Sequence, residues 1–207
     1  KLLKNIETVD ALKMSYEPSY HRRILQVEDL SLSYSGKNFL NGKNFELLLN
    51  ECIAITGKNG SGKTSLIQAL LGEFEGEITG TIQRASGLKI SRVRQNYENN
   101  QGTLEDFAEK EGLDYSQFLN NLRKLGMERR VFASRIQDMS MGQRKKVELA
   151  KSLSQTANLY IWDEPLNYLD VFNQKQILEL LFRVKPTLIL IEHDEYFVKK
   201  VSNKSVC

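Results

Sequence analysis

The sequence has few of the residues that build disulfide-rich, metal-rich or membrane-spanning proteins. Its 207 residues include only two cysteines, Cys52 and Cys207, with no CxxC pair and no histidine partner nearby. Disulfide and zinc frameworks need more thiols, so a reducing, cytoplasmic compartment is expected. No run of about 18 apolar residues occurs, as a membrane-spanning helix would require. Direct insertion into a membrane is therefore not expected.

The sequence also has no strong excess of positive or negative charge. The formal net charge is +3, which is too small to indicate nucleic-acid binding by itself. Apolar residues make up 41% and charged residues 27%, a globular rather than a disordered balance. Basic residues occur in small groups, most of which a solvated surface explains: Arg22-Arg23, Arg92 with Arg94, Arg129-Arg130, Arg144-Lys145-Lys146 and Lys199-Lys200.

The first half of the chain predicts a short linker followed by antiparallel strands. Residues 1–20 are polar and mixed and contain Pro18, which favours a linker or tether before a domain at 21–207. Between 24 and 49, short apolar stretches alternate with turn residues. This rhythm is typical of antiparallel strands.

The second half predicts helices and then a parallel sheet. Apolar residues recur at helical intervals without a strand-like run, which predicts a helical subdomain at about 97–153. Leu159–Trp162 and Thr187–Ile191 are compact apolar runs with a helical stretch between them. Such runs are typical of buried parallel strands, so the fold class is α/β with a parallel-sheet core.

A glycine-rich motif follows the apolar run Cys52–Thr56 and precedes a helical pattern. Residues 57–64 match G-x-x-x-x-G-K-[ST] in full. The glycines let backbone N–H groups wrap around phosphate oxygens, and the helix start adds its positive end. Lys63 is expected to reach the β- and γ-phosphates and Thr64 to bind Mg²⁺. The whole loop is predicted to hold ATP: Gly57, Asn59, Gly60, Ser61, Gly62, Lys63 and Thr64.

Two acids end the first of the buried parallel strands. Asp163 follows Trp162 at the carboxyl end of the strand, where it is placed to hold Mg²⁺. Glu164 is then placed to orient or deprotonate an attacking water. An acidic turn after a strand is common, and it is the phosphate loop earlier in the chain that favours the catalytic interpretation.

Taken in order, the motifs resemble those of ABC ATPases from about Ile24 to Val201. Gln95 matches the Q-loop glutamine, and residues 139–143 (Met-Ser-Met-Gly-Gln) match the LSGGQ signature. Leu169-Asp170 matches the D-loop, and His193 the switch histidine. The resemblance implies a P-loop cassette with an N-terminal antiparallel β-subdomain and a helical signature subdomain.

The resemblance also implies roles for individual residues. Glu164, His193, Gln95 and Lys63 would be catalytic, and Thr64, Gln95 and Asp163 would hold the metal. Ser140, Gly142, Gln143 and Asp170 would bind the nucleotide of a second cassette, with two cassettes enclosing ATP head to tail. Tyr34 resembles the aromatic residue that stacks on adenine, with Phe39 as the alternative.

The signature departs from the family at one position. Met141 replaces the first glycine, where a glycine permits close backbone approach to the γ-phosphate. A methionine side chain must point away from the phosphate or crowd it.

Three stretches resemble the ABC-F group, tandem ATPases of the ribosome: Glu164–Asp170 is close to DEPTNHLD, Glu192–Phe197 resembles SHDRxF, and Lys145–Leu153 resembles the signature helix. The resemblance implies the ribosome, rRNA or tRNA as partners. The chain begins with a tether and without Met, as expected for a second cassette. The signature variant most resembles the antibiotic-resistance branch.

Two alternatives remain at this point. A transporter ATPase subunit predicts an apolar surface after the Q-loop, but residues 96–102 (Asn-Tyr-Glu-Asn-Asn-Gln-Gly) offer few apolar anchors. A binding module without hydrolysis is disfavoured because Glu164 is present.

Overall fold

A computed structural model describes residues 11–58 and 60–206 of the chain. Two sheets and six helices organise these residues. An antiparallel sheet of order β2-β1-β4 is formed by Arg23–Tyr34 (β1), Lys37–Leu48 (β2) and Glu77–Arg84 (β4). A parallel sheet of order β5-β6-β7-β3-β8 is formed by Cys52–Ile55 (β3), Ile90–Val93 (β5), Leu159–Asp163 (β6), Leu188–Ile191 (β7) and Lys204–Val206 (β8).

Helices connect these strands and form the subdomain between β5 and β6. They are Lys63–Leu71 (α1), Leu104–Lys110 (α2), Tyr115–Lys124 (α3), Met141–Ser154 (α4), Val171–Val184 (α5) and Glu195–Val201 (α6). Short 3₁₀ turns lie between α3 and α4. The predicted α/β class, the parallel core, the antiparallel β-subdomain and the helical subdomain are confirmed. No helix in the described ranges is both long and apolar enough to span a membrane.

Alternating residues of the parallel strands face two separate parts of the core. Tyr160 and Trp162 of β6 pack in one apolar cluster with the helical subdomain. Leu159 and Ile161 pack in the other with α1 and the antiparallel sheet. Successive strand side chains point to opposite faces, so the uninterrupted apolar sequence of β6 is explained by burial on both faces.

Two stretches that the sequence separates, at 24–27 and 30–34, belong to the single strand β1. Its pairing with β2 shifts register between Val27 and Leu30, and Asp29 has φ of 47°. A bulge of this kind bends one strand without ending it. On the neighbouring strand, a Cβ at Gly80 would lie 2.4 Å from the carbonyl oxygen of Glu28. The close approach of the two backbones therefore requires glycine.

Part of the predicted linker packs against the domain. Leu12 is 2% exposed. The backbone of Lys13 exchanges two hydrogen bonds of 3.0 Å with the side-chain amide of Asn121 on α3. The Ser15 N–H donates to the carbonyl oxygen of Leu153 on α4 at 2.9 Å, and the Tyr16 hydroxyl donates to Asn50 at 2.6 Å. Residues 11–17 thus contact both the helical subdomain and the core.

Candidate functional site

A cavity of about 730 Å³ opens where β3, β5 and β6 end. Ligands of open parallel sheets bind in this position, beyond the carboxyl ends of the strands. The cavity brings together side chains that lie far apart in sequence: Lys37, Phe39, Gly60, Gly62, Lys63, Thr64, Ser65, Gln95, Asp163 and Glu164. Lys63 and Asp163, which must share one nucleotide if the sequence prediction is right, both line it.

The phosphate loop is held in shape by glycine geometry and by its own lysine. Gly57, Gly60 and Gly62 have φ of 142°, 79° and 92°, a region that side chains other than glycine rarely adopt. A Cβ at Gly62 would also lie 2.9 Å from the Phe39 ring. The Lys63 ammonium donates to the carbonyl oxygens of Gly57 at 2.7 Å and Lys58 at 3.1 Å.

The start of α1 completes this loop. Gly62 precedes the helix and provides no side-chain cap, and an uncapped helix N-terminus is suited to phosphate. Ser61 lies in the loop with its N–H bonded to the Lys58 carbonyl oxygen at 3.1 Å. Asn59, also predicted to bind nucleotide, lies outside the described residues.

The two strand-end acids differ in environment. Asp163 is 8% exposed, and burial, followed by the charge of Glu164, raises the pKa of its carboxyl to about 6. Glu164 has φ of 48°, a left-handed conformation that costs roughly 1–2 kcal/mol outside glycine. Both carboxylates nevertheless line the same cavity.

His193 lies beside Glu164 although 29 residues separate them. The Nε2 atom of His193 is 3.2 Å from Oε1 of Glu164. Asn167 donates from its side-chain amide to the other carboxylate oxygen, Oε2, at 2.5 Å. Sequence reasoning missed Asn167; its spacing of three residues from Glu164 across a turn is the only signal that indicates the contact.

The predicted signature residues lie elsewhere. Ser140 and Gln143 form a capping box on α4, with the Gln143 N–H donating to Ser140 Oγ at 3.3 Å and the Ser140 N–H donating to Gln143 Oε1 at 2.9 Å. Among the described residues that line the cavity, none belongs to this signature. Met141 is 50% exposed and lines a surface pocket with Tyr97 and Arg144. Ser140 and Met141 of the signature are therefore exposed at the surface of the described chain.

The D-loop aspartate is likewise not among the described residues that line the cavity. Asp170 caps α5, accepting from the Asn173 N–H at 2.8 Å. A Cβ at Gly142 would lie 3.3 Å from the carbonyl oxygen of Tyr168. The start of the signature helix is therefore packed closely against the segment that leads into the D-loop.

Only one of the two candidate aromatic residues lines the cavity in this chain. Phe39 does so and contacts the phosphate loop, whereas Tyr34 is 59% exposed at the end of β1. An exposed ring is available for stacking on a base. The adenine-stacking role of Tyr34 stays a prediction.

The oxygen donors at the cavity fit a magnesium ion. The Thr64 hydroxyl, the Gln95 amide and the Asp163 carboxylate all line it, and Mg²⁺ prefers such hard oxygen ligands together with phosphate. Burial, followed by the charge of Glu164, raises the pKa of Asp163 and so disfavours its charged form. A divalent cation bound there would favour the charged form.

Similarity to known proteins agrees with this geometry. The family model described as ABC transporter matches residues 40–167. Ribosome protection protein VmlR of Bacillus subtilis (strain 168) is 30% identical over 188 residues, 89% of this chain and 34% of VmlR. Zinc import ATP-binding protein ZnuC of Buchnera aphidicola subsp. Schizaphis graminum (strain Sg) is 29% identical over 194 residues, 89% of this chain and 80% of ZnuC.

The fold is also found among solved structures. One titled "Structure of ATP binding subunit of ABC transporter" has a TM-score of 0.72 at 26% identity, covering 88% of this chain and 85% of that chain. The present chain spans about a third of VmlR and most of ZnuC.

A phosphate loop and strand-end acids around one cavity define a P-loop ATPase of the α/β class. The chain belongs to the ABC transporter family, as an ATP-binding cassette. Its enzymatic activity is ATP hydrolysis, and its cofactors are ATP and Mg²⁺.

Proposed function

We propose that this chain is the second cassette of an ABC-F-type ATPase that acts on the ribosome in the cytoplasm. The observation that carries the proposal is the stretch Glu164–Asp170, which is close to DEPTNHLD. The match to about a third of VmlR supports it, since a tandem protein contains one such unit twice. Residues 1–20 would be the linker and 21–207 the cassette, with the helical subdomain at about 97–153.

Within the cassette, each cavity residue has a role that its position supports. Lys63 and the phosphate loop hold the β- and γ-phosphates, and Thr64, Gln95 and Asp163 hold the metal. When bound, Mg²⁺ neutralises phosphate charge. Glu164 accepts a proton from the attacking water, and His193 orients Glu164 and contacts the γ-phosphate. These roles follow phosphoryl-transfer logic, in which positioning and electrostatics account for catalysis.

The exposure of Ser140 and Met141 in the signature supports pairing with a second cassette. Ser140, Gly142 and Gln143 would complete the nucleotide site of the partner cassette, together with Asp170. ATP would then hold the two cassettes together and hydrolysis would release them.

A transporter ATPase subunit is the second candidate, and the similarity to ZnuC over most of its length favours it. The surface after Gln95 argues against a membrane partner. Asn96 and Glu98 are exposed, and Tyr97, the large apolar side chain of this segment, is only 6% exposed. The surface therefore presents polar side chains where a membrane partner would need apolar anchors.

Co-sedimentation of the full-length protein tests the assignment. A Glu164→Gln variant should bind ATP and remain in the ATP-bound state, because Lys63, Thr64 and Asp163 are intact. It should pellet with ribosomes in ATP, less so in ADP, and less as salt increases, since rRNA phosphates would contribute to binding. Co-purification with an integral membrane partner, and no ribosome binding, would instead establish the transporter function.

We also propose the antibiotic-resistance branch, on the basis of the Met-Ser-Met-Gly-Gln signature at residues 139–143. Expression of the full-length protein should then raise the growth-inhibitory concentration of a ribosome-targeting antibiotic. The matched Glu164→Gln protein should give no protection. Equal sensitivity of both strains to a panel of such antibiotics would contradict this branch.

A further inference from the structure

Glu192 is a buried carboxylate between β7 and His193, and it contacts backbone N–H groups of two loops. It is 7% exposed. Its Oε1 atom accepts from the backbone N–H groups of His193 at 2.7 Å and Asp194 at 3.4 Å. Its Oε2 atom accepts from the N–H of Leu166 at 3.3 Å, across 26 residues of sequence. One side chain therefore holds the backbone of two loops.

The two loops are the ones that carry Glu164 and His193. Leu166 lies two residues after Glu164, and the Glu164 N–H donates to the carbonyl oxygen of Ile191 at 2.8 Å. The two loops are thus joined by two hydrogen bonds, one to the backbone of Ile191 and one to the carboxylate of Glu192. Between these hydrogen bonds, the side chains of Glu164 and His193 lie 3.2 Å apart.

We infer that Glu192 is a positioning residue for ATP hydrolysis, which fixes the His193 loop against the turn after Glu164. It acts through these two residues and does not line the nucleotide cavity in the described chain. The inference rests on the catalytic roles proposed above for Glu164 and His193. A misplacement of about 1 Å at a reacting group is enough to lower a rate strongly.

The presence of a carboxylate at this position supports the positioning role of Glu192. The SHDRxF motif, which Glu192–Phe197 resembles, has serine where this chain has Glu192. A serine side chain is two bonds shorter than a glutamate side chain, and its hydroxyl accepts fewer hydrogen bonds than a carboxylate. Burying a carboxylate is costly unless hydrogen bonds or charges compensate it.

A cation of the signature helix also lies near this carboxylate. Lys145 on α4 is 2% exposed; burial lowers the pKa of its ammonium to about 8, and the charges of Glu148, Asp163, Glu192 and Glu164 offset part of that shift. The same ammonium lies 5.6 Å from the centre of the Tyr97 ring. Three backbone N–H donors thus contact the buried carboxylate of Glu192, and Lys145 interacts with it electrostatically.

Steady-state kinetics and nucleotide binding by the full-length protein test the inference. Glu192→Gln keeps the side-chain volume but replaces one carboxylate oxygen with an amide N–H₂ group. That group cannot accept the hydrogen bond that a backbone N–H donates to the carboxylate oxygen in this position. We expect kcat to fall at least about tenfold while the Kd for ATP stays within about twofold, because only the geometry of the reacting groups changes. The matched control is Glu195→Gln, an exposed carboxylate three residues further on, which should change neither quantity.

A double-mutant cycle separates positioning from an independent effect. If Glu192 acts by holding the His193 side chain against Glu164, then Glu192→Gln should change the rate of single-turnover hydrolysis less than about twofold in a His193→Ala background. An equal fall of the hydrolysis rate in both backgrounds, or an unchanged kcat in the single variant, would overturn the inference.

If Glu192→Gln does not fold, Glu192→Asp is judged by the same criteria, since it keeps the charge but is too short to reach Leu166. Full activity of Glu164→Gln and His193→Ala would refute the proposed roles themselves, which is a distinct outcome.

Discussion

Arg94, the residue before Gln95, donates two hydrogen bonds from its guanidinium to Glu148 of the signature helix, at 2.9 and 3.0 Å. Glu148 is fully buried, and Lys151 and Asn100 also donate to it, at 2.8 and 2.7 Å. Burial alone would raise the pKa of Glu148, but the Arg94 hydrogen bond and the charge of Lys151 outweigh it and lower the pKa to about 2. This network fastens α4 to the end of β5.

The first prediction concerns the stability contributed by this network. Glu148→Gln should lower the free energy of unfolding by about 3 kcal/mol, because it leaves the buried Lys151 and the partly exposed Arg94 without their carboxylate. Urea unfolding of the purified chain measures the change. Glu179→Gln is the matched control on α5, where an exposed pair with Lys175 at 3.9 Å contributes at most about 0.5 kcal/mol. A loss in Glu148→Gln no larger than in this control would contradict the prediction.

The second prediction concerns the loss of this stabilisation at acidic pH. The pKa of Glu148 falls from an ordinary value of 4.5 to about 2 on folding. A lowered carboxyl pKa means that its stabilisation is present above pH 4.5 and is lost as the pH falls from 4.5 toward 2. At about 1.4 kcal/mol per pKa unit, the loss is roughly 3 kcal/mol. The stability difference between the wild type and Glu148→Gln, from urea midpoints at pH 6, 4.5 and 3, should therefore shrink as the pH is lowered; a constant difference would refute the assignment.

The phosphate loop and the strand-end acids were predictable because each is local in sequence. Residues 57–64 specify loop geometry through their own glycines, and Asp163 is placed by the strand that precedes it. The roles of Gln95 and His193 could be predicted only from the order of the motifs along the chain, since a single glutamine or histidine carries little information. The structure places Gln95 at the cavity and His193 beside Glu164.

The contacts that lock these parts together could not be predicted. Arg94 and Glu148 are 54 residues apart, and Glu192 and Leu166 are 26 apart. Buried polar pairs of this kind depend on which strands and helices are neighbours, and a single sequence does not reveal this. The strand β8 was missed because its three residues show no apolar pattern.

The third prediction separates the two candidates for stacking on adenine, Tyr34 and Phe39. If Tyr34 stacks on adenine, Tyr34→Ala should weaken ATP binding about tenfold but leave inorganic tripolyphosphate binding unchanged, since a base contact contributes about 1–3 kcal/mol. Phe39→Ala should weaken both ligands, because Phe39 packs against Gly62 of the phosphate loop. Isothermal titration calorimetry with each ligand measures the affinities. Equal effects of Tyr34→Ala on both ligands, or none on either, would rule out stacking.

The fourth prediction follows from the separation of the signature from the cavity. The isolated chain should bind ATP but hydrolyse it slowly, with a rate per molecule that rises with protein concentration, because a complete site needs the signature of a second copy. A fast rate that is unchanged by dilution would contradict this composite site.

A mixing experiment tests the same composite site without relying on concentration. Lys63→Ala removes the phosphate contact and keeps the signature, whereas Ser140→Ala keeps the phosphate loop and removes the signature hydroxyl. Each variant alone should be inactive, but the mixture should regain hydrolysis, because one of its two sites combines an intact Lys63 with an intact Ser140. Ser140 also caps α4, and loss of a cap costs about 1 kcal/mol, so unchanged ATP binding by Ser140→Ala must be verified first. If the mixture is no more active than its components, the two motifs do not meet across an interface between copies.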